Sequence, residues 1–318
     1  MKTPRPLPQP LTHGLFTRQQ ALTLGVTDRR LRAGDIRRHG RGLYSWTGSP
    51  EPTPPPPHPV PSDLSFLRQI QAEYPDSWFS HTTAATIFGL ELPSWATSSE
   101  EVHFSRHLRS TTTARHPLFH SHAVLSEEGE VVTFQGLRVS RPGRIFFDLM
   151  NVLPEKELVA LGDQLVRRPR FRFEGRREPW ETPASLSSIV HDHRKTRGIV
   201  RGRAAVAQVR IGADSRMETF LRLSLCEAGL PEPSLQVRPR PGSPFTGDLG
   251  YEEERIAIHY DGALHFDPRQ QTVDQRRNFA FELDGWRNIF ANSEDRRDDF
   301  RRVIRHVRLA LNTEPNPF

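Results

Sequence analysis

Between residues 205 and 312 the spacing of apolar residues switches between the 3.6-residue period of a helix and the two-residue period of a strand. A helical stripe over 215–228 opens on Ser215, has Glu218 at its third position and stops at Gly229. That is a capping start and a glycine stop. Residues 235–238 read as a strand, and a Pro/Gly loop over 239–247 turns into a second at 248–251. The polar triplet Glu252-Glu253-Glu254 leads into a third strand over 255–261. There Ile256, Ile258 and Tyr260 face one way and Ala257, His259 and Asp261 the other. Gly262 breaks it, a helix over 272–283 ends near Gly285, and a strand follows at 286–291. A last helix over 294–311 carries Phe300, Val303, Ile304, Val307 and Leu311 on one stripe. The predicted order is α-β-β-β-α-β-α, with Asp248 and the His259/Asp261 face on neighbouring strands and Glu218 approaching from the first helix.

The N-terminal pattern is different. Thr17 caps a helix over 18–24 that Gly25 ends, and Thr27 or Asp28 caps a second over 29–33 that Gly34 ends. Residues 36–44 then read as a glycine-turned β-wing. Helix, turn, helix and wing is the layout of a winged helix-turn-helix. Residues 1–10 carry prolines at 4, 6, 8 and 10, and eight of the twelve residues 50–61 are proline, an extended spacer. Beyond it, 64–72 is amphipathic, 80–90 is a helix stopped by glycine, and 102–105 and 131–139 alternate as strands. Helices follow over 144–150 and 156–165. The stretch 167–203 is arginine-rich and irregular, with one helix near 184–193. The expected architecture is therefore an α/β multidomain chain: a winged helix over 11–48, a Pro-rich linker over 49–62, an α/β module over 63–166, a basic connection over 167–203 and the α-β-β-β-α-β-α core over 204–312.

Composition narrows the chemistry. The 318 residues carry a net charge of +6, and 41 of the 44 basic residues are arginine, a side chain whose forked donors suit phosphate and guanine. Residues 29–41 hold six arginines (29, 30, 32, 37, 38 and 41) against Asp35 alone. On the winged-helix layout, Arg29, Arg30 and Arg32 face a major groove, while Arg37, Arg38 and Arg41 flank the wing near backbone phosphates. Double-stranded DNA is the expected partner. One cysteine, Cys226, excludes an internal disulfide and any multi-cysteine zinc site. No apolar run reaches the length of a membrane span, and the N-terminus lacks a signal-peptide core, so a cytoplasmic chain without membrane contact is expected. Histidines 81, 103, 107, 116, 120 and 122 match no ligand spacing and read as surface or core-satisfied side chains. Acidic groups gathered at a strand junction can hold Mg²⁺, which takes oxygen ligands and activates water.

Two resemblances sharpen these readings. Leu15-Phe16-Thr17-Arg18-Gln19-Gln20-Ala21, Gly25-Val26 and Gly40-Arg41-Gly42-Leu43-Tyr44 resemble the N-terminal winged helix of AbiEi-type antitoxins. Ser80-His81-Thr82-Thr83-Ala84-Ala85, Gly89-Leu90, Ser140-Arg141-Pro142-Gly143-Arg144 and Phe147-Asp148-Leu149 resemble the domain that follows it in actinobacterial members. This resemblance implies DNA binding, usually at the protein's own promoter, and a cognate toxin as partner. The C-terminal third resembles the Vsr-like branch of the PD-(D/E)XK nucleases. The resemblance lies in Glu218, in Gly247-Asp248-Leu249-Gly250-Tyr251, in His259-Tyr260-Asp261-Gly262-Ala263-Leu264-His265 and in Gly285-Trp286. It implies Mg²⁺ or Mn²⁺ on Asp248 and Asp261, with Glu218 assisting, His265 as general base or leaving-group acid, and His259 as a weak ligand or a spectator. His259 stands where that branch has glutamate, and 205–318 contains no lysine. An imidazole is a poorer ligand than a carboxylate for Mg²⁺. Two functions therefore stay open: a metal-dependent DNA endonuclease, or an antitoxin-like autorepressor with a degenerate nuclease domain.

Overall fold

Thr17 closes a capping box with Gln20, each side chain meeting the other residue's backbone N–H, and so starts helix α1 (Arg18–Thr23) directly from strand β1 (Leu15–Thr17). The structure is a computed structural model and describes residues 4–12, 15–40, 43–47, 64–97, 101–110, 119–193, 195–262 and 268–312. It is mixed α/β and divides into two units, Met1–Leu149 and Met150–Phe318. No helix of the described residues is long and apolar enough to cross a membrane. Arg41 and His265 lie outside the described residues.

In the first unit, β2 (Ile36–Gly40) and β3 (Leu43–Trp46) form an antiparallel pair, and β1 joins it to give the order β1-β3-β2. Leu11, Phe16, Ala21, Val26, Leu31, Ile36 and Tyr44 fill the core of this module. The helix expected over 29–33 is a three-residue 3₁₀ turn, Arg30–Arg32. Arg30 bends back onto Asp35 at 2.6 and 2.7 Å and onto the Arg5 carbonyl at 2.6 Å, which holds the turn tight.

The same unit continues through α2 (Ser65–Glu73), β4 (Ser77–Phe79), α3 (His81–Ile87), α4 (Ser94–Thr97), β5 (Val102–His107), β6 (Phe119–Val124), β7 (Val131–Phe134), β8 (Leu137–Ser140) and α5 (Pro142–Leu149). The five strands lie in the order β6-β5-β4-β8-β7, with β5 parallel to β6 and β4 parallel to β8. The single strand expected over 131–139 is a hairpin. Gln135 and Gly136 both take left-handed backbone (φ 50° and 76°), the signature of a two-residue primed turn.

The second unit runs α6 (Glu155–Val166), α7 (Phe171–Glu174), α8 (Pro183–Asp192), α9 (Ile199–Gln208) and α10 (Arg216–Glu227), then β9 (Ser234–Val237), β10 (Gly247–Tyr251) and β11 (Ile256–Asp261). It ends with α11 (Pro268–Leu283), β12 (Arg287–Asn292), α12 (Ser293–Arg297) and α13 (Arg301–Leu311). Helix α6, read from sequence with the middle module, thus belongs to the second unit, and 167–203 holds more helix than expected. The sheet order is β12-β11-β10-β9, antiparallel except for the parallel β11–β12 pair.

Helices α10 and α13 bury Phe220, Leu221, Leu225, Val303 and Val307 on Leu249, Ile256 and Ile258 of one sheet face. On the other face, Ala257 and Val237 pack with Phe281 of α11 and with Trp286. The alternation along β11 is therefore the one read from sequence. The last helix is not: it breaks between α12 and α13, where Asp299 and Phe300 are left-handed (φ 47° and 59°). The break lets Phe300 drop into the core, fully buried, while its N–H donates to the Asp295 carbonyl.

Helix α10 is fixed to α6 by a buried ion pair, Arg222–Asp163 at 2.9 Å, with side chains 2% and 1% exposed. Removing one partner strands the other charge in the core. Arg222→Ala is expected to cost about 3–5 kcal/mol in urea unfolding of the full chain, whereas a cost below about 1 kcal/mol would mean the pair behaves like a surface one.

Candidate functional site

Ser215 ends the loop before α10, and its hydroxyl accepts the Glu218 N–H at 3.2 Å. The Glu218 carboxylate in turn accepts from the Ser215 hydroxyl (2.9 Å) and from the Asp214 N–H (2.8 Å). Glu218 therefore completes the cap of its own helix, with its charge at the positive end of the peptide dipoles. It is also buried. Such an arrangement by itself favours the carboxylate. Yet Glu218 is pushed up to about 8, first by burial and then by the charge of Asp248.

Asp248 sits at the start of β10. Its Oδ2 accepts the backbone N–H of Tyr260 at 2.6 Å, so the side chain bridges to β11. Burial raises it to about 6; the Tyr260 bond and Arg277 oppose the rise, while Asp214 and Asp261 add to it. Asp261, the exposed last residue of β11, is raised by partial desolvation and by Asp274, with Arg277 opposing. Glu218, Asp248, Asp214 and Asp261 therefore share one negative field. Two arginines answer it: Arg277 of α11, and Arg170, which pairs with Asp214. Burial works against the charge of Arg170, but Asp214, Glu218 and Asp248 together raise its pKa.

The field is shared, but the oxygens are not gathered into a closed cage. Among the described residues, the sets of three or more ligand atoms lying within 4.8 Å of one another are built on histidines, and the carboxylates of this site are not among them. Mg²⁺ does not need a cage, since it commonly uses one or two carboxylates plus water and phosphate oxygens. The donor chemistry of Asp248 with Glu218 or Asp261 fits that mode.

His259 has different surroundings from the acidic pair. It is fully buried on the α11 face, with Phe281 edge-on at 5.4 Å and Phe290 stacked at 5.4 Å. Its Nε2 lies 3.0 Å from Asn288 Oδ1, and its Nδ1 has no hydrogen-bond partner among the described residues. Burial lowers it to about 4, with Arg277 adding to the fall. This is a neutral imidazole in an apolar niche. Of the arginines expected to meet DNA, Arg29, Arg32, Arg37 and Arg38 are exposed, whereas Arg30 is taken up by Asp35. Asp214, Arg170 and Arg277 were not singled out from sequence as site residues. Asp214 carried one usable signal, its place directly before the capping serine.

No protein-family model matches the chain, and none of the curated proteins is similar to it.

The two raised carboxyls have a consequence for stability. In the unfolded chain they titrate near their ordinary values of 4.5 and 3.8, and in the folded chain near 8 and 6. Between those limits the folded state binds more protons, so stability falls as pH rises through the window. Asp248→Asn keeps an acceptor for Tyr260 and removes one charge. It is expected to raise the melting temperature by about 3–6 °C at pH 8 and to leave it nearly unchanged at pH 4. Calorimetry at the two pH values checks this, and equal effects at both would contradict it.

Proposed function

We propose that the chain binds double-stranded DNA through the arginine-rich module of residues 11–48, acting as a winged helix-turn-helix, and that residues 204–312 form a PD-(D/E)XK-type core that hydrolyses phosphodiesters with Mg²⁺ or Mn²⁺. The observation that carries the nuclease reading is the Glu218–Asp248 pair. Two carboxyls whose charges oppose each other are held where the first helix meets the second strand of an α-β-β-β-α-β-α core. A buried pair of this kind lowers stability and is characteristic of sites kept for chemistry.

In this reading Asp248, with Glu218 or Asp261, holds the cation, which when bound polarises the phosphodiester and acidifies water. The remaining roles fall to the chain's own side chains. The Tyr260 N–H fixes the Asp248 carboxylate. Arg277, whose charge reaches both Asp248 and Asp261, meets the phosphate. Arginine keeps its proton, so Arg277 supplies charge and not base catalysis. His265 is the proton-transfer group in this proposal.

His259 favours a second reading. Its buried, neutral ring occupies the β11 position where the resembling nucleases carry an anionic ligand. That is the mark of an AbiEi-like autorepressor, with a toxin partner and a nuclease core that no longer cuts.

One pair of measurements separates the readings. In the first, the full chain with Mn²⁺ is expected to nick or linearise plasmid DNA, and Asp248→Ala to slow this about 100-fold or more. DNA binding without cleavage favours the autorepressor, and cleavage untouched by Asp248→Ala refutes the assigned centre.

In the second, duplex affinity is measured against salt. Replacing Arg29, Arg32, Arg37 and Arg38 with alanine is expected to flatten the logarithmic slope by about 0.9 for each arginine that meets a phosphate. An unchanged slope would remove the module from the interface.

A further inference from the structure

Three histidines that are far apart in sequence meet in the first unit. His81 is the first residue of α3, and His103 and His122 lie on the parallel strands β5 and β6. The register pairs His103 with His120 and Ser105 with His122, which sets these histidines on one face of the sheet. The His81 and His122 rings stack at 3.7 Å, and His103 Nδ1 lies 3.1 Å from His122 Nε2. One nitrogen from each of the three rings lies within 4.8 Å of the others.

The surroundings suit ligands and not ion pairs. Burial lowers His81 to about 2 and His122 to about 4, and each is lowered further by its histidine neighbours. The rings are therefore neutral, and each neutral ring has one lone pair to place. One N–H···N contact joins His103 to His122, and with its proton on Nδ1 toward Ser80 the His81 ring keeps the lone pair of Nε2 for a ligand. Arg144, the cation that also acts on His81, is held between Asp148 at 2.7 Å and Glu130 at 2.6 Å.

The backbone gives an independent sign. His81 has φ 51°, a left-handed conformation that costs a non-glycine residue about 1–3 kcal/mol and that clusters at functional sites. The His81 Nδ1 meets the Ser80 hydroxyl at 3.0 Å, and Ser80 in turn accepts from Ser105 at 2.8 Å. A hydroxyl or carbonyl on the far nitrogen is how ligand imidazoles are oriented. The His103 N–H donates to Thr83 Oγ1 at 2.8 Å, tying β5 to α3.

We propose that His81, His103 and His122 form a three-imidazole site for Zn²⁺ or a similar borderline divalent transition metal. Three neutral nitrogens with the fourth position left to water or a ligand is a known zinc arrangement, and imidazole favours such ions over Mg²⁺. A bound ion would also cross-link α3 to the β5–β6 edge of the sheet. A neighbouring set, Glu101, His103 and His120, shares His103 but is more exposed, and its His120–Glu101 contact is 3.6 Å. The inner set is preferred because His81 is buried, His103 and His122 are half-buried, and their rings are held by neighbouring contacts.

The test uses tag-free, metal-stripped full-length protein titrated with Co²⁺ in excess Mg²⁺, which occupies any oxygen-donor site. We expect one equivalent of Co²⁺ with visible d–d absorption, displaced by Zn²⁺, and a Zn²⁺-dependent rise of several degrees in melting temperature. His103→Ala and His122→Gln should abolish the band, while His107→Ala and Asp248→Ala should retain it. Should the histidine variants fail to fold, histidine ring proton shifts of the unaltered protein on adding Zn²⁺ carry the test. No band together with no shift overturns the proposal. So does a band that survives in both histidine variants, or one that His120→Ala removes and His81→Ala spares.

Discussion

The carboxylate of Asp163 is the fixed point of the second unit. It accepts the Arg210 N–H at 2.7 Å, the Thr219 hydroxyl at 2.8 Å and the Arg222 guanidinium at 2.9 Å. Burial holds its pKa above the ordinary carboxylate value, and these donors limit that rise. The three donors come from the end of α9 and from two turns of α10, so one anion sets the position of α10 against α6. Thr219 is the residue after Glu218. The depth and direction of Glu218 beside the start of β10 therefore depend on a bond one residue away. The pair is costly to break and of little net value to stability over an apolar substitute, which makes positioning its main consequence.

This arrangement explains how Glu218 can be both a helix cap and a member of an acidic field. A cap normally lowers a carboxyl's pKa. Here the cap bonds from Asp214 and Ser215 are overridden by burial and by Asp248, because α10 is clamped and cannot move the two acids apart. Asp248 is equally constrained, since its oxygen takes the place of a backbone acceptor for Tyr260 at the β10–β11 junction. Neither acid can turn away to water without losing a backbone partner. The remaining routes to relief are a proton, an arginine or a cation, and Arg170 and Arg277 supply only part of it.

What was legible in the sequence followed the range of the interaction that decides it. The order of elements from α10 to α13 was readable because each stripe or alternation lies within a few residues, and Ser215-x-x-Glu218 announced its own cap. Glu218, Asp248 and Asp261 were legible as candidates by their places in that order. The break at Asp299–Phe300 was not, because it is driven by a core contact of Phe300 and no glycine or proline marks it. The hairpin at Gln135–Gly136 lacked the usual Asn-Gly or Asp-Gly signal. The assignment of α6 to the second unit rests on packing against α9 and α10, where Asp163 meets Arg222 across 59 residues. Asp214 and Arg170 pair across 44 residues, and no local pattern records it.

The histidines make the same point more sharply. Their spacing of 22 and 19 residues matches no ligand pattern, because a pattern encodes ligands on one element and these come from a helix and two strands. Parallel pairing of β5 with β6 aligns them, and a strained His81 completes the group. Hardness then divides the chain's two clusters. The acids of the second unit offer oxygens, and the rings of the first offer nitrogens in a site with little charge to attract Mg²⁺. His259 fits neither class. It is a buried imidazole packed against Phe281 and Phe290 whose Nδ1 has no partner among the described residues, so it keeps a neutral ring where a glutamate could not remain ionised. A carboxylate in that niche would meet the same desolvation that raises Asp248, without the Tyr260 bond that holds Asp248 in place.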